Sequence, residues 1–246
     1  MKAIILAAGY ATRLYPLTKN KPKPLLSIGD TTILDYLIEK IEKVQVIDGI
    51  YIVTNDKFYP HFIEWKSTYF GSKELVVIND ETTTNDNRLG AIADIQYVIK
   101  HADIRDDLLV LAGDNLFDFE LTDFVDFFDQ VKKDCIAVFE LEDYEELQQT
   151  GVVTVDAENN IQSFEEKPEK PKSNLAVPPC YLYKQETLPL IHDYLLEGNN
   201  PDAPGNFIPW LIKHRQVQAY KFDGKSYDIG TLESYEKIKE VYDKEK

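Results

Sequence analysis

Strand-like and helix-like patterns alternate through the first half of this chain, and that alternation constrains the fold more than any other feature. Four short apolar runs have the composition of buried strands. Each is followed by a segment with apolar residues at helical spacing, such as Leu37, Ile38 and Ile41. Four β-α units in succession predict an α/β fold with a mostly parallel central sheet and helices on both faces, which is a Rossmann-like arrangement. The predicted strands are 2–8, 49–54, 75–79 and 107–112, and the predicted helices are 33–44, 58–70, 89–101 and 121–133.

The second half of the chain has a different pattern. Runs 152–155 and 161–164 flank a turn-rich stretch, which predicts a small antiparallel β hairpin. No long linker, internal repeat or low-complexity tract divides the chain. We therefore expect one domain over residues 1–246, with halves at 1–133 and 134–246. Further strands are predicted at 135–141, 176–183 and 216–222, and further helices at 188–196, 208–214 and 232–245.

Composition excludes several classes of function. The chain has 43 acidic against 27 basic residues, a formal charge of −16, so we expect no nucleic-acid partner. No apolar run reaches the roughly 18–20 residues that a membrane span needs, and the short apolar start is not a signal peptide. Cys135 and Cys180 lie far apart without metal-ligand spacing. The expected location is cytoplasmic, with no membrane contact.

The end of the first predicted strand carries a conspicuous loop. In open parallel sheets, ligands bind beyond the carboxyl ends of the strands, and small residues let backbone N–H groups approach a phosphate. Arg13 adds a fixed charge with fork geometry, and the later Lys23 stands between prolines that restrict the backbone. Taken alone, the loop fits an ordinary strand-to-helix turn equally well. The candidate phosphate-binding residues are Leu6, Ala7, Ala8, Gly9, Tyr10, Ala11, Thr12 and Arg13.

The pattern Gly-x-x-Thr-Arg-x-x-Pro-x-Thr from Gly9 to Thr18, followed by Pro22-Lys23, resembles the sugar-phosphate nucleotidyltransferases. The resemblance extends across nearly the whole chain. It implies transfer of a nucleoside monophosphate from a triphosphate to a phosphorylated acceptor, most simply a sugar 1-phosphate, with Mg²⁺ as cofactor and pyrophosphate as product. The half 1–133 would bind the nucleotide and 134–246 the acceptor. Where the family usually has a second glycine, this chain has Ala11, which would be strained by a positive φ.

The resemblance also implies a metal site. Asp114, just past the fourth predicted strand, and Asp228, in Asp228-Ile229-Gly230-Thr231, would bind one Mg²⁺ with the substrate phosphates. Asp114 could instead be an ordinary turn aspartate. If the two carboxylates share a site, they should face the cleft that contains Gly9 to Arg13, and one should have a raised pKa.

The remaining implied roles are divided between the two substrates. Arg13 and Lys23 would act on the triphosphate together with the aspartates, which makes Arg13, Lys23, Asp114 and Asp228 the catalytic set. Asn87 and Gly90 complete the nucleotide site. Glu166 and Lys167 belong to a Glu-Lys-Pro stretch that would bind the acceptor hydroxyls and phosphate. The implied acceptor residues are Asn115, Gly151, Glu166, Lys167 and Val177.

Several alternatives stay open at this level. The second half departs from sugar-specific members at Pro178-Pro179 and at 204–207, so the acceptor could be phosphocholine or a polyol phosphate. The fold is also used by non-catalytic subunits that bind nucleotide sugars and typically lack one of the charged groups. In this chain the four catalytic residues and Lys167 are all present. The nucleotide base, the acceptor and the oligomeric state are not determined. Because Asp228 lies near the end of the sequence, we expect no appended domain.

Overall fold

A computed structural model describes residues 1–244, so the last residue of the predicted helix 232–245 lies outside the described residues. The strands are β1 (Lys2–Leu6), β2 (Ser27–Ile28), β3 (Thr31–Thr32), β4 (Gly49–Thr54), β5 (Glu74–Asn79), β6 (Leu108–Ala112), β7 (Asn115–Phe117), β8 (Asp134–Glu140), β9 (Gly151–Val155), β10 (Ile161–Glu166), β11 (Leu175–Val177), β12 (Cys180–Tyr183), β13 (Val217–Lys221) and β14 (Ser226–Asp228). The helices are α1 (Ile33–Glu42), α2 (Tyr59–Lys66), α3 (Ala91–His101), α4 (Leu121–Val131), α5 (Tyr144–Leu147), α6 (Leu188–Leu196), α7 (Ile208–Leu211) and α8 (Leu232–Lys244).

A ten-stranded sheet forms the centre of the molecule, in the order β10-β9-β11-β8-β12-β6-β1-β4-β5, with β13 also pairing with β8. Strands β6, β1, β4 and β5 are parallel neighbours. Leu6 lies opposite both Val53 and Ala112, so the carboxyl ends of three strands meet at one edge. The predicted α/β class, with its parallel central strands and its β9–β10 hairpin, is confirmed. The structure adds that the second half extends the same sheet, mainly by antiparallel pairs.

Helices cover both faces of the sheet because successive residues of each strand point to opposite sides. In β1, Ala3 and Ile5 pack into one apolar core, while Ile4 packs into the other. The first core receives the apolar faces of α1, α2 and α4, and the second those of α3, α6 and α7. A third, smaller core joins α8 to α1 and β7. Among residues 1–244, no helix is long and apolar enough to cross a membrane.

Several predicted elements have different limits in the structure, and for two of them the physical reason is clear. The predicted strand 176–183 is divided into β11 and β12, because Pro178 and Pro179 have no backbone N–H to donate to a ladder. The two pieces have different partners, β11 with β9 and β8, and β12 with β6 and β8. Helix α3 begins at Ala91 rather than 89, because Gly90 has a φ of 93°, outside the helical region.

A two-stranded ribbon, β7 with β14, lies outside the main sheet and determines where the end of the chain goes. Asp228 is paired with Asn115 in this antiparallel ribbon, and the N–H of Ile229 donates to the carbonyl of Asp114 at 3.3 Å. Leu116 and Ile229 are buried against α8 in the third core. The ribbon therefore brings residues more than a hundred positions apart to the same edge of the sheet.

Candidate active site

A cleft of about 510 Å³ opens at the carboxyl ends of β1 and β6. Its walls come from both halves of the chain, so a ligand in it would contact both. Of the residues that the sequence analysis selected, every one except Asn87 lines it. The lining residues from that set are Leu6, Ala7, Ala8, Gly9, Tyr10, Ala11, Thr12, Arg13, Lys23, Gly90, Asp114, Asn115, Gly151, Glu166, Lys167, Val177 and Asp228.

The loop after β1 is held in shape by a left-handed residue. Ala11 has φ 46° and ψ 42°, and its carbonyl accepts hydrogen bonds from the N–H of Leu14 at 3.0 Å and from Thr18 Oγ1 at 2.7 Å. The tight turn that follows presents Arg13 at the cleft with an exposed side chain. Within residues 1–244, no carboxylate forms an ion pair with Arg13, so its guanidinium is available to an anion.

Ala11→Gly is expected to stabilise the protein by about 0.5–1 kcal/mol. A left-handed conformation costs a residue with a Cβ roughly 1–2 kcal/mol, and the greater freedom of glycine in the unfolded chain removes about half of that gain. Urea unfolding of both proteins measures the difference. The control Ala157→Gly, at an exposed position without positive φ, should destabilise. Equal destabilisation by both substitutions would contradict the strain at Ala11.

Three charged side chains meet at the floor of the cleft. Lys23 Nζ lies 2.7 Å from Asp114 Oδ2 and 3.6 Å from Asp228 Oδ1, and Lys23 is only 8% exposed. Asn115 Nδ2 donates to the other Asp114 oxygen at 3.2 Å. The two aspartates therefore share one small space, as the shared-site hypothesis required.

The two carboxyl groups differ in their electrostatic environment. Desolvation in the cleft acts to raise the pKa of Asp114, but the charge and hydrogen bond of Lys23 outweigh it and lower that pKa. Desolvation raises the pKa of Asp228, and the nearby charge of Asp114 raises it further. The expectation that one of the pair has a raised pKa agrees with Asp228.

The donor set at the floor of the cleft suits a magnesium ion. Two carboxylates reach the same cation, Lys23, so their oxygens converge on one place. Mg²⁺ prefers oxygen ligands and usually takes one or two carboxylates, completing its shell with phosphates and waters. Among the described residues no group of three or more acidic, histidine or cysteine side chains could hold a metal alone. Asp114 and Asp228 therefore suit a metal ion whose remaining ligands come from the substrate phosphates and from water.

The acceptor side of the cleft is shaped by glycines packed on an aromatic ring. A Cβ added to Gly151 or Gly205 would lie 2.6 or 2.3 Å from the ring of Phe164. Lys167 follows β10 with a φ of 48°, and its N–H donates to the carbonyl of Thr150 at 3.0 Å. This geometry places Glu166 and Lys167 beside the same opening, both exposed and both lining it.

On the nucleotide side, Asn87 does not line the cleft, although the neighbouring Asn85 and Arg88 do. Its Oδ1 accepts from the N–H groups of Thr83 and Thr84, at 3.2 and 2.9 Å, and so caps its own short turn. Asn87 is therefore not among the residues that the cleft brings together, and its role in nucleotide binding stays a prediction. The neighbouring Arg88 does line the cleft and forms an ion pair with Asp202 at 3.2 Å.

Sequence reasoning also missed lining residues that no local pattern marks. Tyr181 is only 2% exposed and lines the cleft, yet it reads as an ordinary strand residue. Asp94 is 5% exposed and lies in the first turn of α3, where a buried acidic residue in an apolar pattern was the available signal. Other lining residues missed by the sequence are Asn85, Gln149, Thr150, Asp202 and Gly205.

Comparison with known proteins gives a consistent result. A family model described as "Nucleotidyl transferase" matches residues 2–245. The chain is 32% identical to the bifunctional protein GlmU of Methanocaldococcus jannaschii, covering 94% of this chain and 51% of that protein. It is also 32% identical to a glucose-1-phosphate adenylyltransferase of Clostridium novyi, covering 95% and 64%. The chain thus spans about half to two thirds of the length of these relatives.

A solved structure shares the fold over its whole length. A UDP-glucose pyrophosphorylase complexed with UDP-glucose superposes with a TM-score of 0.83 at 22% identity, covering 100% of this chain and 99% of that one. At this identity the likeness establishes the arrangement of strands and helices. The names of these similar proteins refer to different nucleotides, adenylyl in one and UDP in another, so the comparisons do not identify the nucleotide base for this chain.

Proposed function

The chain belongs to the nucleotidyl transferase family, and we propose that it transfers a nucleoside monophosphate from a triphosphate to a sugar 1-phosphate. The products are a nucleoside diphosphate sugar and pyrophosphate. One observation carries the proposal: a single cleft collects Arg13, Lys23, Asp114, Asp228 and Lys167 from both halves of the chain. Three cations beside two carboxylates suit two phosphorylated substrates and a divalent ion.

The reaction needs no nucleophile from the protein. An oxygen of the acceptor phosphate attacks the α-phosphorus, and the bond from that phosphorus to the pyrophosphate oxygen breaks. The acceptor oxygen is already ionised, so no side chain has to remove a proton. The task of the protein is to hold two anions in line and offset their repulsion.

Each charged side chain has a task that follows from its position. Lys23, buried at the floor, neutralises the α-phosphate, and the exposed Arg13 binds the leaving phosphates through its planar fork. Lys167 holds the acceptor phosphate from the opposite wall. Asp114 and Asp228 would hold Mg²⁺, which when bound lowers the repulsion between the reacting phosphates.

The lining favours a hydroxylated acceptor over a quaternary ammonium. A choline group needs several aromatic faces around it. In the described part of the chain, only Tyr10 and Tyr181 contribute aromatic side chains to this cleft, and they come from different elements. Glu166 and the backbone of Gly151, by contrast, can accept and donate hydrogen bonds to sugar hydroxyls.

A pyrophosphate-release screen tests the proposal. ATP, CTP, GTP, UTP and dTTP are each combined with a panel of sugar 1-phosphates, phosphocholine and a polyol phosphate, with Mg²⁺ present. We expect turnover with a sugar 1-phosphate. Turnover only with phosphocholine or a polyol phosphate would show that the acceptor is not a sugar 1-phosphate. Binding of a nucleotide sugar without any turnover would favour a regulatory subunit.

Lys167→Gln is expected to raise the acceptor KM or lower kcat by about tenfold or more, with nucleotide binding unchanged. The substitution removes a charge from the acceptor wall and keeps a polar side chain that is only one atom shorter. Steady-state kinetics with each substrate varied gives the two KM values. The exposed Lys170 nearby provides the control, since Lys170→Gln should behave as wild type. A loss of nucleotide affinity with normal acceptor kinetics would contradict the division of the cleft.

A further inference from the structure

Two buried carboxyl groups lie beside the nucleotide side of the cleft, outside the set of residues used above. Asp80 follows β5 and is 4% exposed, and Asp94 is 5% exposed. Their side chains are hydrogen-bonding neighbours. Buried acidic residues normally have a cationic partner or a full set of donors, so this pair needs a physical explanation.

The donors around the pair are too few for two carboxylates. Asp80 Oδ1 accepts from the N–H and the hydroxyl of Thr82, each at 2.7 Å. Asp80 Oδ2 and Asp94 Oδ1 are fully buried and receive no hydrogen bond from any donor in residues 1–244. A proton retained between the two groups would provide the missing donor.

The charges around the pair also disfavour two ionised groups. The titratable neighbours are the carboxylate of Asp56, which acts on Asp80, and the phenols of Tyr10 and Tyr97, on which Asp80 acts; Glu81 in turn acts on Tyr97. None of these is a cation. Two adjacent carboxylates in a site of low dielectric cannot both ionise, so they titrate as a pair with one proton held strongly.

The pair is connected to two segments that line the cleft. Thr82, bound to Asp80, accepts through its carbonyl a hydrogen bond from the Tyr10 hydroxyl at 3.1 Å. Tyr10 is 5% exposed and belongs to the loop that contains Arg13. On the other side, the N–H of Asp94 donates to the carbonyl of Gly90 at 2.8 Å. Tyr10 and Gly90 are thus bonded to the two backbone segments that carry the pair, so repulsion that shifts those segments would reach both residues.

We propose that Asp80 and Asp94 share one proton and that this protonated pair positions Tyr10 and Gly90 for nucleotide binding. The positioning role rests on the function proposed above, whereas the shared proton does not. Neither carboxyl touches substrate in this scheme. The pair acts through the loop and through the start of α3.

The pH at which the pair separates follows from its burial. Desolvation raises the pKa of Asp94 to about 8, and the charge of Asp80 is the second cause of this increase. Desolvation also raises the pKa of Asp80. The folded protein therefore holds a proton that the unfolded chain loses near the ordinary carboxyl pKa. This contribution to stability is complete at low pH and is lost as the pH rises through about 8.

Asp94→Asn tests the positioning role, because an amide keeps the donor and cannot ionise. Binding of ATP, CTP, GTP, UTP and dTTP is measured by calorimetry at about pH 6.5 and about pH 9. For the nucleotide that binds wild type, we expect the dissociation constant to rise at least about fivefold between the two pH values, and to change little in Asp94→Asn. Any protonation change of the nucleotide itself affects the measurements on both proteins equally, so it does not explain a difference between them. The control Asp86→Asn, on an exposed neighbouring turn, should retain the wild-type pH dependence.

Carbon-13 NMR of labelled aspartate tests the shared proton without any ligand. We expect one carboxyl signal that titrates near pH 8 in wild type and is missing from Asp94→Asn. The lack of any aspartate titrating above about pH 6 would overturn the shared proton. The same pH dependence of binding in both proteins would overturn the positioning role. Wild-type protein that binds none of the five nucleotides would overturn the proposed function and the positioning role together, and the NMR titration would still decide the shared proton.

Discussion

Asp114→Asn and Asp228→Asn should each lower turnover by at least about a thousandfold at moderate Mg²⁺. Loss of a bound divalent ion removes several kcal/mol of charge stabilisation from the transition state, and each 1.36 kcal/mol is a factor of ten. Pyrophosphate release under saturating substrates measures the loss. The exposed Asp223, in the loop before β14, supplies the control, because Asp223→Asn removes the same charge away from the floor of the cleft.

The double variant separates a shared ion from two independent roles. If both aspartates act through one Mg²⁺, either substitution removes its function, and the double variant should be little slower than the slower single one. If the fold-loss of turnover in the double variant equals the product of the two single losses, each residue acts separately. Mg²⁺ titration adds a second readout, since the residual activity of each single variant should require more Mg²⁺ than that of wild type.

The same two substitutions should differ in their effect on stability. Lys23 lowers the pKa of Asp114, so the ionised Asp114 stabilises the fold above its ordinary pKa. Desolvation and Asp114 raise the pKa of Asp228, so its ionised form brings no such gain. Urea unfolding at neutral pH should therefore show the larger loss for Asp114→Asn, which also leaves the buried Lys23 with its weaker partner.

Arg13→Ala is expected to lower turnover by at least about a hundredfold while the fold survives. A positively charged donor aimed at the leaving phosphates stabilises the transition state more than the bound substrate. Arg13 is exposed and has no ion pair within the described residues, so its removal leaves no buried charge uncompensated. Arg13→Lys should rescue poorly, because an ammonium group lacks the planar fork that binds two phosphate oxygens.

The control for Arg13 is Lys21→Ala, which removes an exposed charge from the same segment and should leave the kinetics unchanged. Circular dichroism and urea unfolding establish that each variant is folded. Turnover of Arg13→Ala at the wild-type rate would remove Arg13 from the catalytic set, even though it lines the cleft. A rise in nucleotide KM with unchanged kcat would assign it to ground-state binding only.

Local patterns were sufficient for the main strands and helices, but not for the short elements β2, β3, β7, β14 and α5. The apolar periods of β1 and α1 reflect which side chains must be buried within a few residues, so the sequence predicted them. The strain at Ala11 was suggested by the family resemblance, since the family usually has a glycine there, and the structure gives Ala11 a left-handed conformation. The limits of elements interrupted by prolines were predicted less accurately, as the division of the predicted strand 176–183 into β11 and β12 shows.

The resemblance placed residues in the site but could not describe their contacts. Asn87 was assigned by its place in a motif, while in the structure its side-chain Oδ1 accepts hydrogen bonds from the backbone N–H groups of Thr83 and Thr84. Tyr181 was overlooked because a buried tyrosine in a strand has no local mark of function. Such outcomes depend on which neighbour a side chain meets, and that neighbour is distant in sequence.

The sequence by itself determined the α/β class, because burial periods act over a few residues. The phosphate role of the first loop and the set of charged groups came from the resemblance to a known family. Only the tertiary structure decided that Asp114 and Asp228 meet Lys23, through the pairing of β7 with β14. It also decided that Asp80 and Asp94 lie together, with no cationic partner recorded among residues 1–244. Strand register and helix packing determine which residues that are distant in sequence come into contact. A pattern of residues along the chain does not give the distances between such residues in space.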